Sequence, residues 1–353
     1  MNPPPARVSA LDGLRALAIT AVILGHTVPN LAPGGQIGVD IFFALSGYLI
    51  TSLLLREHDQ LGTISLRSFY ARRALRLVPA LVVFLVGAAL LLWYWHNKYL
   101  WADVAAAATY TSDLPFAANP PRGALTGHTW SLSVEEQFYL MWALSLTGLL
   151  AWLPRRGLPC AVVTLIVFLL AFTVGLQSAG LKLSTLYYLP TTRLPELLIG
   201  ALAATLVRAG LRPSVRVVAA SVPVAALCLG AIIMWMRHDT WRDPWSYRGG
   251  FAVVALLTTV LILHAELRPH SAMTRVMAFA PFTHIGRRSY AAYLWYIPAL
   301  AIARNCGTHD RLGILAITVG LTALAATISW YVVEQPFLKR KRQFERVHLA
   351  SRA

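Results

Sequence analysis

Arg15 and His26 stand eleven residues apart in the apolar stretch LDGLRALAITAVILGH. Eleven residues make almost a whole number of helical turns, so both side chains fall on one face, in a stripe with Asp12, Ile19 and Val22. At 1.5 Å per residue they lie roughly 16 Å apart, about half the hydrocarbon thickness of a bilayer. A guanidinium near one surface and an imidazole toward the other put a cation site and a proton acceptor on one helix. Ionisable groups inside a span are costly and mark function. The structural reading of the same pair is a snorkelling arginine and a hydrogen-bonded core histidine.

A second group is basic. SLRSFYARRALRLVP carries Arg67, Arg72, Arg73 and Arg76, and on a helix Arg72, Arg73 and Arg76 share one side. Such guanidiniums suit phosphate, which accepts two parallel hydrogen bonds from each; a positive-inside signal touching lipid phosphates is the other reading. A third group is acidic and aromatic. Asp40 in GVDIFFALSGYLI either supports the imidazole of His26 or satisfies amides at a helix N-terminus. In GHTWSLSVEEQFYLMW, residues Trp130, Ser131, Glu135 and Tyr139 crowd the entrance of an apolar helix, an unusually polar entry unless it meets a wet cavity. Ser133 and Glu136 have capping-box spacing there, which leaves Glu135 for the site. Arg193 and Glu196 in RLPELLIG are one turn apart and suit either substrate contact or a local ion pair.

The elements that position these residues follow from composition. The chain has 353 residues, 57% hydrophobic and 13% charged, with mean hydropathy +0.58, which predicts an all-α polytopic membrane protein rather than a soluble domain. Apolar runs predict about ten transmembrane helices: Leu11–Val28, Ile37–Leu55, Leu75–Trp95, Val134–Leu153, Leu158–Leu176, Leu194–Val207, Val215–Met236, Phe251–His264, Ile285–Ala303 and Leu312–Val333. One membrane domain is expected over residues 1–353, with an inner basic tail at 337–353. The N-terminal MNPPPARVSALDG lacks the pattern of a cleavable signal, so the first span is expected to be retained.

With the N-terminus inside, 22 of the 31 Lys and Arg residues fall on the inner side. The count predicts cytoplasmic termini in a multi-pass protein of the cell (plasma or inner) membrane. The net charge of +16 thus reports orientation rather than nucleic-acid binding. Cys160, Cys228 and Cys306 are scattered through apolar sequence with no ligand spacing, so neither metal nor disulfide framework is expected.

Taken in order, LDGLRALAITAVILGH, GVDIFFALSGYLI, FYARRALR, HTWSLSVEEQFYL, RLPELLIG and RRSYAAYLWYIP resemble the acyltransferase-3 family of integral membrane O-acyltransferases. The resemblance implies transfer of an acyl group, often acetyl, from cytoplasmic acyl-CoA to a hydroxyl on the far side. Its paired arginine and histidine fall on Arg15 and His26, its paired arginines on Arg73 and Arg76, and its glutamate before FYL on Glu135. Many members have histidine in the YLxHxP motif where this chain has Tyr296, so no histidine acts there.

On this reading acyl-CoA phosphates dock on Arg72, Arg73 and Arg76, with Arg15 at the inner mouth. His26 is the general base, and Asp40 or Glu135 supports its imidazolium. The acceptor enters past Trp130, Ser131, Tyr139, Arg193 and Glu196. It is a surface carbohydrate, a glycolipid or a small secreted molecule such as a macrolide. The buried ionisable groups also suit a proton-coupled transporter or lipid flippase, although no internal repeat is evident.

Overall fold

A backbone in hydrocarbon must satisfy its own hydrogen bonds, and helices rich in Leu, Ala and Val do so within each segment. The computed structural model describes residues 6–96, 100–119, 125–154, 156–210, 215–307 and 310–339, and no strand occurs among them. Lys98, Arg122, Arg155 and Arg212 of the charge count lie outside the described residues, as do residues 340–353 of the basic tail. The helices run in chain order as α1 (Ala6–Thr27), α2 (Gly38–Leu61), α3 (Leu66–Tyr94), α4 (Leu100–Ala108), α5 (Asp113–Ala118), α6 (Trp130–Trp152) and α7 (Gly157–Ser178). They continue as α8 (Leu183–Tyr188), α9 (Pro190–Arg208), α10 (Val215–Trp235), α11 (Gly250–Leu267), α12 (Ala272–Met277), α13 (Ala280–Arg287), α14 (Ser289–Asn305) and α15 (Arg311–Ile328). A π-helical turn, Ser329–Glu334, prolongs α15.

Each of the ten apolar runs falls on helix. Among the described residues, six segments are long and apolar enough to cross a membrane: Ser9–Thr27, Gly35–Leu61, Leu66–Tyr94, Gly157–Ser178, Gly250–Leu267 and Arg311–Lys339. On α3 the exposed Val78, Val82, Val86 and Leu90 recur every fourth residue, an apolar stripe suited to lipid. The run Ile285–Ala303 differs from expectation. It is two helices, broken at Arg288, whose backbone is non-helical (φ −99°, ψ 5°).

The chain gathers into two compact units, each discontinuous in sequence. The first comprises Met1–Ile64, Asp113–Pro120 and Val134–Arg287; the second comprises Ser65–Ser112, Pro121–Ser133 and Arg288–Ala353. In the first, α1, α2, α9 and α11 enclose a core that includes Leu14, Ala18, Ile41, Leu45, Ala204, Val254 and Leu261. Helix α2 stops at Gly62, whose left-handed backbone (φ 71°) lets its N–H reach the His58 carbonyl at 2.8 Å.

The α2–α9 crossing depends on two glycines. A Cβ on Gly47 would collide with the Leu197 carbonyl, and one on Gly200 with the Ala44 carbonyl, so backbone meets backbone in both directions. Gly47→Ala is therefore expected to destabilise the protein by about 1–3 kcal/mol, the usual cost of overpacking. A thermal melt of purified protein checks this; an unchanged midpoint would mean the two helices part without cost. In the second unit α14 packs on α15 and α3, and the indole of Trp295 lies edge-on to Phe84 at 5.8 Å.

Candidate active site

Helix α1 holds the first pair as the spacing requires. Arg15 donates Nη1–H to Asp12 Oδ1 at 2.7 Å, and Asp12 Oδ2 takes a longer bond from Arg287 Nε at 3.4 Å. Two guanidiniums thus share one carboxylate at this end of α1. His26 lies in the last turn of α1, exposed, with Nδ1 2.9 Å from the Val22 carbonyl. A carbonyl only accepts, so Nδ1 carries the proton and the neutral ring holds its lone pair on Nε2. The imidazole therefore has its basic nitrogen directed away from its own helix.

Asp40 does not support this ring. Its Oδ1 is bound to Arg193 Nη2, and its Oδ2 has no hydrogen-bond partner among the described residues. The expected pairing with His26 is replaced because α9 crosses α2 close enough to bury Arg193 and Asp40 together, each about 1% exposed. Aromatic rings receive the guanidinium, among them Phe251 at 4.0 Å, Tyr187 at 5.3 Å and Phe43 at 5.7 Å. Burial pushes the phenols of Tyr187 and Tyr247 up and that of Tyr188 to about 12, so they stay neutral and Asp40 supplies the countercharge. Glu196, one turn after Arg193 and equally buried, lies within electrostatic reach of both, and its Oε2 has no hydrogen-bond partner among the described residues.

Glu135 gains a partner that sequence reasoning passed over. Ser46 of α2 donates Oγ–H to Glu135 Oε1 at 2.5 Å. The missed signal is the position of Ser46: six residues after Asp40, it lies within about 120° of it around the helix, near the same crossing. Trp142 Nε1–H to Thr51 Oγ1, at 2.8 Å, holds α6 on α2 two turns further along. Tyr139 lies between these anchors and is buried. Tyr48 reaches Glu266 of α11 at 2.5 Å, a third polar tie that begins on α2.

In the second unit Arg72 and Arg73 are half-buried on α3 and Arg76 is exposed. Trp130 and Ser131 are buried in the first turn of α6. Ser131 Oγ lies 2.6 Å from the Tyr293 hydroxyl, which donates to the His128 carbonyl at 3.0 Å. The His128 ring donates Nε2–H to the Leu294 carbonyl at 3.1 Å and packs edge-on against Tyr296, with centroids 5.2 Å apart. Tyr296 is thus a buried wall beside a histidine from another motif. The expected capping box does not form. Helix α6 begins four residues early, at Trp130 rather than Val134, and Ser133 Oγ instead accepts from Ser112 N and donates to the Thr129 carbonyl, both at 3.1 Å.

Helices of this length carrying Arg15, His26 and Asp40 define a multi-pass membrane protein with ionisable groups built into its spans. The chain belongs to the acyltransferase-3 family: the family's profile, described as an acyltransferase domain, matches residues 8–334. It is 32% identical, over 94% of its length, to a Staphylococcus aureus (strain COL) protein provisionally named an O-acetyltransferase. To the O-acetyltransferase OatA of Staphylococcus aureus (strain NCTC 8325 / PS 47) it is 31% identical over 95% of its length. The chain spans 57% of the first of these relatives and 58% of the second. No solved structure gives a significant match.

Proposed function

We propose that the protein is a membrane O-acyltransferase that moves an acyl group, acetyl in the first instance, from cytoplasmic acyl-CoA to a hydroxyl on an extracytoplasmic or membrane-accessible acceptor. The observation that carries this reading is the tautomer of His26: with Nδ1–H committed to Val22, the lone pair faces outward on Nε2. In the reaction Nε2 takes the acceptor's hydroxyl proton as its oxygen attacks the thioester carbonyl. The tetrahedral adduct collapses with release of the CoA thiolate, which takes up that proton. Direct transfer fits better than an acyl-enzyme, because the sequence pairs no activated serine or cysteine convincingly with His26.

Arg72, Arg73 and Arg76 hold the donor's phosphates, for which bidentate guanidiniums are suited. Arg15, kept in place by Asp12, lines the inner mouth. Glu135, oriented by Ser46, supports the imidazolium. Trp130, Ser131 and Tyr139 shape the acceptor side. Arg193 and Glu196 are sealed from solvent, so they act there by holding α2 against α9 together with Asp40. The acceptor is a surface carbohydrate, a glycolipid or a small secreted molecule such as a macrolide. The termini are cytoplasmic, in the plasma (inner) membrane, by the Lys and Arg asymmetry.

The test is ester formation by purified protein with labelled acetyl-CoA and a panel of hydroxylated acceptors, read by mass spectrometry. No ester with any acceptor, alongside movement of substrate across proteoliposomes, would favour the transporter reading instead. Arg73→Ala is expected to raise the KM for acetyl-CoA at least tenfold, with a much smaller change in kcat, since it removes binding present before and during transfer. An unchanged KM would take Arg73 out of the donor site.

A further inference from the structure

Asp12 is buried on α1, its side chain 8% exposed, beneath two guanidiniums that stand further out, Arg15 at 21% and Arg287 at 37%. Arg15, one turn further along α1, donates to Oδ1 at 2.7 Å; Arg287, the last residue of α13, donates to Oδ2 at 3.4 Å. All three residues lie in the first unit. Neither arginine has another hydrogen-bond or ion-pair partner among the described residues. Close backbone approach brings Arg287 here. A Cβ on Gly286 would collide with the Asp12 carbonyl, and one on Gly13 with the Met277 carbonyl of α12. Those contacts join α1 to α12 and α13 independently of the arginine bridge. The bridge is also loose on one side, since ionised pairs usually close to about 2.7–2.9 Å.

We propose that Arg15 and Arg287 form one phosphate-binding pair, and that Asp12 is the positioning residue beneath it. This rests on the reading of Arg15 as part of the donor's inner mouth, and adds Arg287, which no motif in the sequence singled out. An arginine has five N–H donors, and one from each is spent on Asp12. The remaining donors serve a group beyond the carboxylate. One carboxylate against two guanidiniums leaves positive charge on the outer side, while Asp12 limits the repulsion between the cations and fixes their separation. Both arginines reach the two oxygens of one small acid, so a single phosphate group is large enough to meet both. Its several acceptor oxygens suit two planar forks. The chemistry recognised is a phosphate ester, carried either by the acyl donor or by a lipid headgroup.

The test uses the full chain in phosphatidylcholine nanodiscs. Coenzyme A is the phosphate-bearing probe, and pantetheine keeps the thiol arm without phosphate. Phosphatidylglycerol retained in native mass spectrometry is the lipid arm. Arg287→Gln is expected to weaken coenzyme A binding about tenfold, the size of a lost charged hydrogen bond, and to leave pantetheine binding within about twofold. A loss shared equally by coenzyme A and pantetheine would show that Arg287 only shapes the fold, and overturns the proposal. If coenzyme A binding is unchanged but phosphatidylglycerol retention falls, the pair stands and takes a lipid phosphate. If the unaltered protein binds no coenzyme A at all, the donor reading fails, and the lipid arm alone decides the pair. Unchanged values in both arms for folded Arg287→Gln overturn the proposal. Should that variant not fold, Arg287→Lys takes its place. It keeps the charge but not the fork, so binding of the phosphate-bearing probe or lipid is expected to weaken about threefold, and values equal to the parent's in both arms overturn the pair equally.

Discussion

His26→Ala is expected to abolish acyl transfer, by about 10²–10⁴-fold in kcat, while the protein stays folded in the membrane. The imidazole sits exposed in the last turn of α1, hydrogen-bonded to its own helix at Val22, so its removal leaves no cavity in the core. Stability and function should therefore separate at this residue. Glutamine at the same place is expected to be equally inactive, because an amide cannot take a proton at neutral pH. The measurement is single-turnover ester formation at saturating acetyl-CoA, beside a thermal melt of the same preparation. Turnover within tenfold of the parent protein would remove His26 as the base and return the site to the neighbourhood of Glu135.

The second large effect is on stability. Arg193→Met is expected to cost about 3–5 kcal/mol, because it leaves the Asp40 carboxylate buried without its guanidinium. The double variant Arg193→Met/Asp40→Asn should recover more than half of that loss, since no uncompensated charge remains and methionine still fills the space among Phe43, Tyr187 and Phe251. Thermal or denaturant melts of the four proteins complete the cycle. Additive losses would show that the pair is not coupled and that Arg193 is held by its aromatic walls instead. The outcome also bears on mechanism: a strongly coupled pair makes Asp40 a structural anchor of the α2–α9 crossing, and leaves Glu135 with Ser46 as the carboxylate available to the imidazole.

The clearest departures from expectation lie where helices cross. Spacing along α1 placed Arg15 and His26 on one face, and the i, i+3 relation of Asp12 to Arg15 was readable as an ion pair; the structure shows that bond at 2.7 Å. The partner of Asp40 was not readable, because Arg193 lies 153 residues away. The same holds for Ser46 with Glu135, 89 residues apart, and for Tyr48 with Glu266, 218 apart. Arg287 and Arg288 are neighbours in sequence, yet the helix break at Arg288 sends the first to Asp12 and the second to Tyr331.

The sequence by itself determined what is local and periodic: a helical membrane chain, its apolar runs, the face shared by Arg15 and His26, and a basic turn fit for phosphate. These follow from 3.6 residues per turn and from the cost of charge in hydrocarbon, which act within a single segment. Only the tertiary structure decided which carboxylate meets which cation, because buried charges take whichever partner the helix crossings bring within a few ångströms, and crossings are set by small residues such as Gly47 and Gly200 whose contacts lie far along the chain.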